Sequence, residues 1–408
     1  MENKVQSIAF KETSSVVVIA ILSALMAMTS LSVDIYLPAM PTMQHDLQGN
    51  IELTISGFLI GFSIAQIFWG PVSDKYGRKR PLYIGLALFI VGSVGCALSQ
   101  TMFEMIVWRV IQAFGACTGP MLSRAMIRDM YGQTKAAEML STLMVVMAIA
   151  PIAGPLIGGK ILILSSWHSI FWLLEIIGIL LLFSISTLPE TLTDERKNKG
   201  SLKLAFAKYR LLLKNRQFMV YTLCVTFFYV GAYAFITGSP LVYIQYFGVK
   251  PENYGYLFGV NMVGIASLSM LNRKLVRKYS LDLLLKVATS VAMMASLLLV
   301  ILVKSGIGGI LGIVIPMFFV FSTNGVIAAC TNAAALDKVP KMAGSGAALL
   351  GSLQYGSGVI SSILLALFAS HNGNPWTMTW IITLFISLSA LVILMGVRKE
   401  NSIITRKI

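Results

Sequence analysis

The sequence predicts an all-α membrane protein with twelve transmembrane helices in two six-helix bundles. Of its 408 residues, 56% are hydrophobic and only 12% are charged, whereas a soluble domain is about 25% charged. A helical span needs about 20 apolar residues, and twelve apolar segments of that kind follow one another along the chain. One long polar connection separates the first six segments from the last six.

The apolar segments define the predicted domains. A cytoplasmic linker is expected at 189–217, which is polar and holds eight Lys or Arg residues. It divides an N-terminal bundle at 1–188 from a C-terminal bundle at 218–397, and a cytoplasmic tail follows at 398–408. The predicted spans lie at 14–40, 51–72, 82–100, 105–127, 139–164, 169–188, 218–247, 253–271, 281–303, 308–329, 343–370 and 378–396.

Basic residues predict the orientation in the membrane. The formal net charge is +15, and in a membrane protein an excess of Lys and Arg is expected on the cytoplasmic side. If both termini lie in the cytoplasm, the cytoplasmic loops and termini hold 26 of the 32 basic residues. The opposite loops hold only Lys160, Lys250 and Lys304. We therefore predict a multi-pass protein of the bacterial inner membrane, with no nucleic-acid partner.

An internal repeat relates the two bundles. The stretch SGFLIGFS at 56–63 matches YGYLFGVN at 254–261, and two glycines four residues apart align in both copies. Both copies enter the membrane from the same side, so the bundles are predicted to be parallel repeats with a binding site between them. The alternative is that Gly-x-x-x-Gly only allows two helices to pack closely.

Asp34 and Arg109 are charged residues well inside predicted spans. Asp34 lies about six residues, roughly 9 Å, below the outer edge of the first span, and Arg109 lies at a similar depth in the fourth. Ionisable residues within a membrane are functional hypotheses by default. The alternatives are that Asp34 ends its helix in the outer headgroups and that Arg109 extends to the outer interface.

The second span ends in GPVSDKYGRKR at 70–80. On its own this is a tight turn at a glycine in a basic cytoplasmic loop. The spacing resembles the loop motif of the major facilitator superfamily. That resemblance implies a cytoplasmic gate that latches the two halves, formed here by Gly70, Asp74, Gly77, Arg78 and Lys79. The second copy is degraded, because Asn272 stands where Asp74 would map.

Two further motifs resemble those of drug–proton antiporters in the same superfamily. The stretch APIAGPLIGG at 150–159 predicts a kinked, closely packed fifth span, and it resembles the antiporter motif through Gly154, Pro155, Gly158 and Gly159. In the fourth span, Arg109, Gln112 and Gly115 match a second antiporter motif. The resemblance implies export.

The first span, with RAMIRDMYG and WHSIFWLLE, resembles the Bcr/CflA family of drug-resistance transporters over essentially the whole chain. This resemblance makes Asp34 the expected proton site, with Arg109 tuning it. Glu175 in the sixth span is the alternative proton site, although a structural role is favoured there. Polar residues within spans are weaker candidates for the substrate cavity: Tyr36, Gln112, Tyr233, Asn261, Asn324, Gln354 and Tyr355.

The predicted function is proton-coupled efflux of small molecules, such as amphenicols or bicyclomycin-like antibiotics, by alternating access. The alternative is export of an endogenous metabolite such as a siderophore, an amino acid or a small peptide. An enzyme is not expected, because the intramembrane residues include no hydrolytic constellation. We expect no cofactor and no metal, since His45, His168 and His371 form no spaced cluster. The expected partners are substrate, protons and membrane lipids, with the chain as a monomer.

Overall fold

A computed structural model describes residues 12–131, 133–193, 202–368 and 373–396. This part of the chain forms fifteen α-helices and no strand. They are α1 (Glu12–Asp34), α2 (Met40–Leu47), α3 (Glu52–Tyr76), α4 (Lys79–Leu98), α5 (Met102–Ala116), α6 (Thr118–Met130), α7 (Gln133–Leu164), α8 (His168–Ser184), α9 (Leu202–Lys214), α10 (Arg216–Pro240), α11 (Pro251–Leu275), α12 (Leu281–Ser305), α13 (Leu311–Asp337), α14 (Ala343–Phe368) and α15 (Pro375–Gly396).

The helices confirm the predicted membrane architecture. Eleven helical segments of the described residues are long and apolar enough to cross a membrane, with α5 and α6 forming one of them. Helix α7 supplies the twelfth crossing, because it is 32 residues long and its second half, 149–164, is apolar. The terminal segments 1–11 and 397–408, which the topology prediction uses, lie outside the described residues.

The first span differs from its prediction. Helix α1 ends at Asp34 instead of continuing to Met40, and a short 3-10 turn at Leu37–Ala39 separates it from α2. Pro38 explains the break, because its ring clashes with the carbonyl of residue 34 and it has no N–H to donate there. The interruption leaves Asp34 on the last turn of a helix inside the bundle, where it is 6% exposed.

The linker also contains a helix that the sequence did not predict. Helix α9 packs against α10, α14 and α3. Its Tyr209 hydroxyl donates to the backbone oxygen of Ile67 at 3.3 Å, and its Leu212 is fully buried. Residues 194–201 of the linker lie outside the described residues. The linker is therefore attached to both bundles by α9.

The packing of the first six spans recurs in the last six. Helix α1 packs on α7 and α6, α3 on α5, and α4 on α5 and α8. In the second half, α10 packs on α14 and α13, α11 on α13, and α12 on α13 and α15. Each of these contacts between two spans of the first half has a counterpart between the spans at the same positions in the second half. The two bundles are therefore parallel repeats.

The two halves meet along two helix pairs, α3 with α14 and α7 with α11. We refer to the end of the bundle that carries the loop 77–78 as the basic end and to the other as the opposite end. At the opposite end, Asn50 Nδ2 donates to the backbone oxygen of Ala366 at 3.1 Å. Midway along, Ser352 Oγ donates to the oxygen of Ser63 at 2.9 Å.

The halves separate toward the basic end. Gly70 lies two turns after Ser63, on the same face of α3, and a side chain at Gly70 would meet no atom within 4 Å. The same is true of Gly344, at the start of α14. The structure is therefore closed at the opposite end and open at the basic end.

The aligned glycines of the repeat have different partners. Gly57 and Gly61 lie against the backbone of α5 in their own half. Gly255 and Gly259 instead face Leu156 and Ile152 of α7, across the boundary between the halves. The glycines thus allow close packing in both copies, but the local sequence match does not place them on equivalent faces.

Candidate functional site

The end of α1 is enclosed by glycines of α7. A Cβ atom at Gly154 would lie 3.2 Å from the Cβ of Asp34 and 3.2 Å from the nitrogen of Ile35. A Cβ at Gly158 would collide with the carbonyl oxygen of Ile35. The predicted antiporter motif therefore packs directly on the backbone that carries Asp34.

The last glycine of that motif faces the second half. A Cβ at Gly159 would lie 2.8 Å from the Cα of Glu252 and 2.9 Å from the oxygen of Pro251, in the first turn of α11. Gly255, one turn later, lies against Leu156 of α7. One short stretch of α7 therefore contacts both the Asp34 turn and the partner half.

Arg109 is fully buried inside the first half. Its Nη1 donates to the oxygen of Ser32 at 3.0 Å and to Oε1 of Gln112 at 2.7 Å. Gln112 Nε2 in turn donates to Ser93 Oγ at 2.8 Å. The side chain turns into the bundle and does not extend to the outer interface, which was the alternative considered from the sequence.

Two aromatic rings cover the guanidinium. Its central carbon lies 4.5 Å from the ring centre of Tyr36 and 4.4 Å from that of Phe58, within the range of cation–π attraction. Tyr36 shares a hydrogen bond with Thr54, with 3.1 Å between the hydroxyl oxygens. Arg109 Nε and Nη2 are buried without a hydrogen-bond partner among the described residues. Arg109 therefore keeps two unused donors beside the end of α1.

Asp34 and Arg109 lie at similar depth, because Arg109 binds the backbone two residues before Asp34. Within the described residues, however, no cation lies within ion-pair distance of the Asp34 carboxylate. The turn that follows Asp34, Leu37–Ala39, packs on α10 and α11 of the second half. The acid thus lies next to the boundary between the halves, while Arg109 is bound within the first half.

Three of the predicted cavity residues form a polar and aromatic surface on α10, α13 and α14. Asn324 Nδ2 donates to the hydroxyl of Tyr229 at 3.4 Å, and Gln354 lies close to the same hydroxyl. The rings of Tyr229 and Tyr233 lie 6.0 Å apart. The hydrogen bond joins residues that are 95 positions apart in the sequence.

The remaining two have different surroundings. The ring of Tyr355 lies 4.5 Å from that of Phe62 on α3, so this pair bridges the two halves. Asn261 is fully enclosed, and both polar atoms of its carboxamide lack a partner among the described residues. It lies on the same side of α11 as Phe258, whose ring stacks on Phe235 of α10. Asn261 is therefore buried within the second half.

At the basic end, Arg78 joins three acceptors of the first half. Its Nη1 donates to Asp74 Oδ1 at 2.7 Å and to Ser73 Oγ at 2.9 Å, and its Nε donates to Asp129 Oδ2 at 2.8 Å. Burial lowers the pKa of Arg78, but the hydrogen bonds and charges of Asp129 and Asp74 outweigh it and raise the pKa overall. The guanidinium therefore stays charged and bound.

Glu190 holds the same loop from the other side. Its carboxylate accepts from the backbone nitrogens of Arg78 at 2.9 Å and of Lys79 at 3.1 Å. Lys79 Nζ donates to the backbone oxygen of Leu188 at 2.6 Å. Partial burial raises the pKa of Glu190, but the backbone donors outweigh it, and the pKa lies below its ordinary value.

Sequence reasoning missed Asp129 and Glu190. Both are acids close to the ends of predicted spans, and Asp129 lies in the stretch RAMIRDMYG. The signal was an acidic residue at the membrane edge in an otherwise basic loop. Both acids bind Arg78, which is 51 positions from Asp129 and 112 positions from Glu190 in the sequence. Only the fold brings these residues together.

The second-half loop has no such network. Asn272 is buried and donates to the oxygen of Gly325 at 3.5 Å. The cations that follow it are exposed and make no ion pair with the described residues: Arg273, Lys274, Arg277 and Lys278. The gate residues identified in the sequence therefore form a connected structure in the first half alone.

Glu175 and the histidines take no part in these sites. Glu175 is half-buried on α8 and has no ion-pair partner among the described residues. His45 lies beside Asp46, and His168 stacks on Trp167. His371 lies outside the described residues, in which no group of three or more potential ligands could hold a metal.

The sequence matches known transporters. Residues 22–362 match the family model described as Major Facilitator Superfamily. An uncharacterized MFS-type transporter, YdgK of Bacillus subtilis (strain 168), is 36% identical over 85% of this chain and 88% of its own length. A bicyclomycin resistance protein homolog of Haemophilus influenzae is 28% identical over 90% and 94%. Multidrug resistance protein D of Escherichia coli (strain K12) is 24% identical over 89% and 92%.

Solved structures match the fold at low identity. The nucleoside transporter NupG has a TM-score of 0.76 at 12% identity, over 93% of this chain and all of its own. A D-xylose-proton symporter has a TM-score of 0.74 at 16% identity, over 96% and 99%. The relatives named for drug resistance confirm the Bcr/CflA resemblance, and members of this family are transporters, not enzymes. The chain belongs to the major facilitator superfamily.

Proposed function

We propose that this protein exports small molecules in exchange for protons, with Asp34 as the proton-carrying residue. The observation that carries the proposal is the place of Asp34: a buried carboxyl with no cation partner among the described residues, at a helix break facing the second half. A buried carboxyl without a partner is favoured as the neutral acid. Substrate that enters through the open basic end would displace the proton from Asp34 at that end, and opening of the opposite end would let Asp34 take up a new proton there as substrate leaves.

Arg109 is the proposed tuning residue. Its two unbonded donors lie beside the turn that carries Asp34, and a carboxylate placed there would gain charge-assisted hydrogen bonds. A rotation of α1 against α5 would change which group Asp34 faces. Glycines 154 and 158 keep the α7 backbone close enough for that movement to reach the boundary with α11.

The direction and the location are also proposals. The basic end is assigned to the cytoplasm from the distribution of Lys and Arg, in the bacterial inner membrane and with both termini inside. The open basic end then corresponds to an inward-facing state, which would accept substrate from the cell. Asp74, Arg78 and Lys79 would form the cytoplasmic gate when the halves close there. We expect the chain to act as a monomer surrounded by membrane lipids.

Drugs are the proposed substrates, because relatives over about nine-tenths of the chain are named for bicyclomycin and multidrug resistance. Export of an endogenous metabolite uses the same scaffold and the same proton site, and it remains the second candidate. Amphenicols, bicyclic peptide antibiotics and lipophilic cations form the first panel to test. A deletion strain that fails to export a metabolite while keeping its drug tolerance would favour the second candidate.

Substrate-induced proton release from detergent-purified protein tests the proposal. Wild-type protein is expected to release protons when a panel compound binds, and Asp34→Asn is expected to release none. Glu175→Gln is the matched control, because it neutralises the other intramembrane acid considered. Release that survives in Asp34→Asn but disappears in Glu175→Gln would contradict the assignment of the proton to Asp34.

A further inference from the structure

Another charge lies inside the membrane region. Arg124 on α6 is half-buried, and it is six residues from the C-terminal end of that helix at the basic end. It is the first residue of the stretch RAMIRDMYG, but no site described above uses its side chain. A charged side chain at such a depth requires a partner or a function.

The side chain is directed away from the nearer membrane surface. Its Nε donates to the oxygen of Pro120 at 2.9 Å, one turn back toward the middle of the membrane. A snorkelling arginine at this position would extend toward the basic end, where headgroups and water lie. Arg124 is therefore directed toward the middle of the membrane and not toward the basic end.

Arg124 also has no carboxylate partner among the described residues. The acid on its own helix, Asp129, is bound by Arg78. No hydrogen bond reaches either terminal nitrogen from the described residues, and neither atom is among the enclosed ones. The guanidinium thus presents two accessible, unused nitrogens.

Helix α6 packs on α1 and α3 of the first half, and Phe62 of α3 contacts the ring of Tyr355 on α14 in the second half. Arg124 lies near enough to Tyr355 for its charge to act on that side chain. Long side chains on a helix lean toward its N-terminus, and α6 and α14 run in opposite directions, so the two side chains lean toward each other. Tyr355 also interacts with Asp34. It therefore lies between the acid near the closed end and the arginine near the open end.

We propose that Arg124 is a substrate-binding residue that receives an anionic group of the transported molecule. The substrate class is an aromatic or apolar compound with a carboxylate, which Arg can bind with two parallel donors. The ring of Tyr355, 4.5 Å from that of Phe62, would supply an aromatic surface for the same compound. A cationic group on the same compound would be placed toward Asp34. This inference rests on the proposed export function.

Three dansyl probes with one fluorophore and different charges test the inference. Dansylglycine carries a carboxylate, dansyl ethylenediamine an ammonium, and dansyl amide no charge. Binding to detergent-purified full-length protein is measured by fluorescence anisotropy. The variants are Arg124→Gln, Arg124→Lys and the control Arg128→Gln, which removes an exposed arginine one turn later on α6.

We expect Arg124→Gln to weaken dansylglycine binding about tenfold or more, the size of one charge-assisted hydrogen bond. Dansyl ethylenediamine should bind as well as before or more tightly. Arg124→Lys should restore part of the loss, and Arg128→Gln should change every affinity less than about twofold. Equal weakening of all three probes would show a structural role, and unchanged dansylglycine binding would also overturn the proposal.

The same probes separate this inference from the function on which it rests. In one outcome, dansyl ethylenediamine causes proton release from wild-type protein but not from Asp34→Asn, and dansylglycine binds Arg124→Gln as tightly as wild type. That outcome would support export and reject the role of Arg124. If dansylglycine binding instead weakens in Arg124→Gln and proton release survives in Asp34→Asn, the results would support Arg124 as the anion site and reject Asp34 as the coupling residue. Wild-type protein that binds none of the probes would overturn both proposals for this chemical class.

Discussion

The loop after α3 and the loop after α11 occupy equivalent places in the two halves, yet their charges are held differently. In the first loop, Arg78 is 7% exposed and is bound by two carboxylates. In the second, Arg277 is exposed without an ion pair among the described residues. The same basic composition thus gives a fixed loop in one half and a solvated surface in the other.

The difference follows from two acids. The first loop has Asp74 on its own helix and Glu190 beneath it, whereas the second has no acidic residue from 272 to 281. A cation without a nearby carboxylate remains hydrated, since surface charges gain little from one another. A loop of this superfamily can therefore satisfy the positive-inside rule without forming a latch.

The largest difference between the halves is expected when Arg78 or Arg277 is replaced by Gln. Arg78→Gln leaves Asp129 with a side chain only 14% exposed and no cation, and breaking a buried pair costs about 3–5 kcal/mol. Arg277→Gln should change the free energy of unfolding by less than about 0.5 kcal/mol. Thermal unfolding in detergent measures both variants, and equal destabilisation would remove the contrast between the loops.

The next effect compares glycines at helix contacts. Gly158→Ala places a Cβ against the carbonyl oxygen of Ile35, and overpacking of this kind costs about 1–3 kcal/mol. Gly259→Ala meets only Ile152 Cγ2, at an ordinary 3.5 Å.

The alanine at position 259 should leave stability unchanged or improve it, because Ala favours helix by about 1 kcal/mol over Gly. The unfolding midpoint and the transport rate should therefore fall in Gly158→Ala but not in Gly259→Ala. A Gly158→Ala protein as stable as wild type would mean that α7 can move away from the end of α1 at no cost.

A smaller effect is expected at the two turn glycines. Gly77 has φ 94° and ψ 174°, a conformation that other residues adopt only with a strain of about 1–3 kcal/mol. Gly306 has φ 68° and ψ 6°, which Asn tolerates.

Gly77→Asn should therefore lower the unfolding midpoint more than Gly306→Asn does. Glu190 adds to the cost, because its Oε2 lies 2.6 Å from where a Cβ of residue 77 would be. The double variant Gly77→Asn with Glu190→Ala separates this clash from the backbone strain. Equal midpoints for the two single variants would show that the first loop is as adaptable as the second.

The smallest effect is the pH dependence of the first loop. The pKa of Glu190 is lowered in the folded protein, so its stabilising contribution is present above the ordinary glutamate pKa of about 4.3. It is lost as the pH falls through the lower, folded value. Glu190→Gln should remove about 1 kcal/mol near neutral pH, and the difference from wild type should shrink toward pH 3.5.

Unfolding midpoints across that pH range measure the effect of Glu190. Arg277→Gln serves as the second-half control, and its difference from wild type should not vary with pH. A constant difference between Glu190→Gln and wild type would mean that the carboxylate charge does not hold the loop.

Membrane crossings were predictable because each depends on local composition. About 20 apolar residues in succession are enough to predict a span. Most helix bounds agree with this prediction within a few residues, but the first span is interrupted, the fifth begins at Gln133 instead of 139 and the tenth ends at Asp337 instead of 329. In the first span, Pro38 was visible in the sequence, but the break at Asp34 requires knowledge of how the following turn packs. Helix α9 was missed because its 13 residues include four Lys or Arg, as expected of a basic linker. Its buried face is covered by α10, α14 and α3, which only the fold brings to it.

The sequence by itself determined the class of the protein: twelve apolar spans, the repeat, the basic loops, and the family motifs around Asp34, Arg78 and Gly158. Tertiary structure alone decided the partners: that Arg109 binds Ser32 and Gln112 and does not pair with Asp34, and that Arg78 binds Asp129. The physical reason is range. Hydropathy and turn chemistry act between neighbours in the chain, whereas a buried charge is satisfied by whichever helix the fold places beside it.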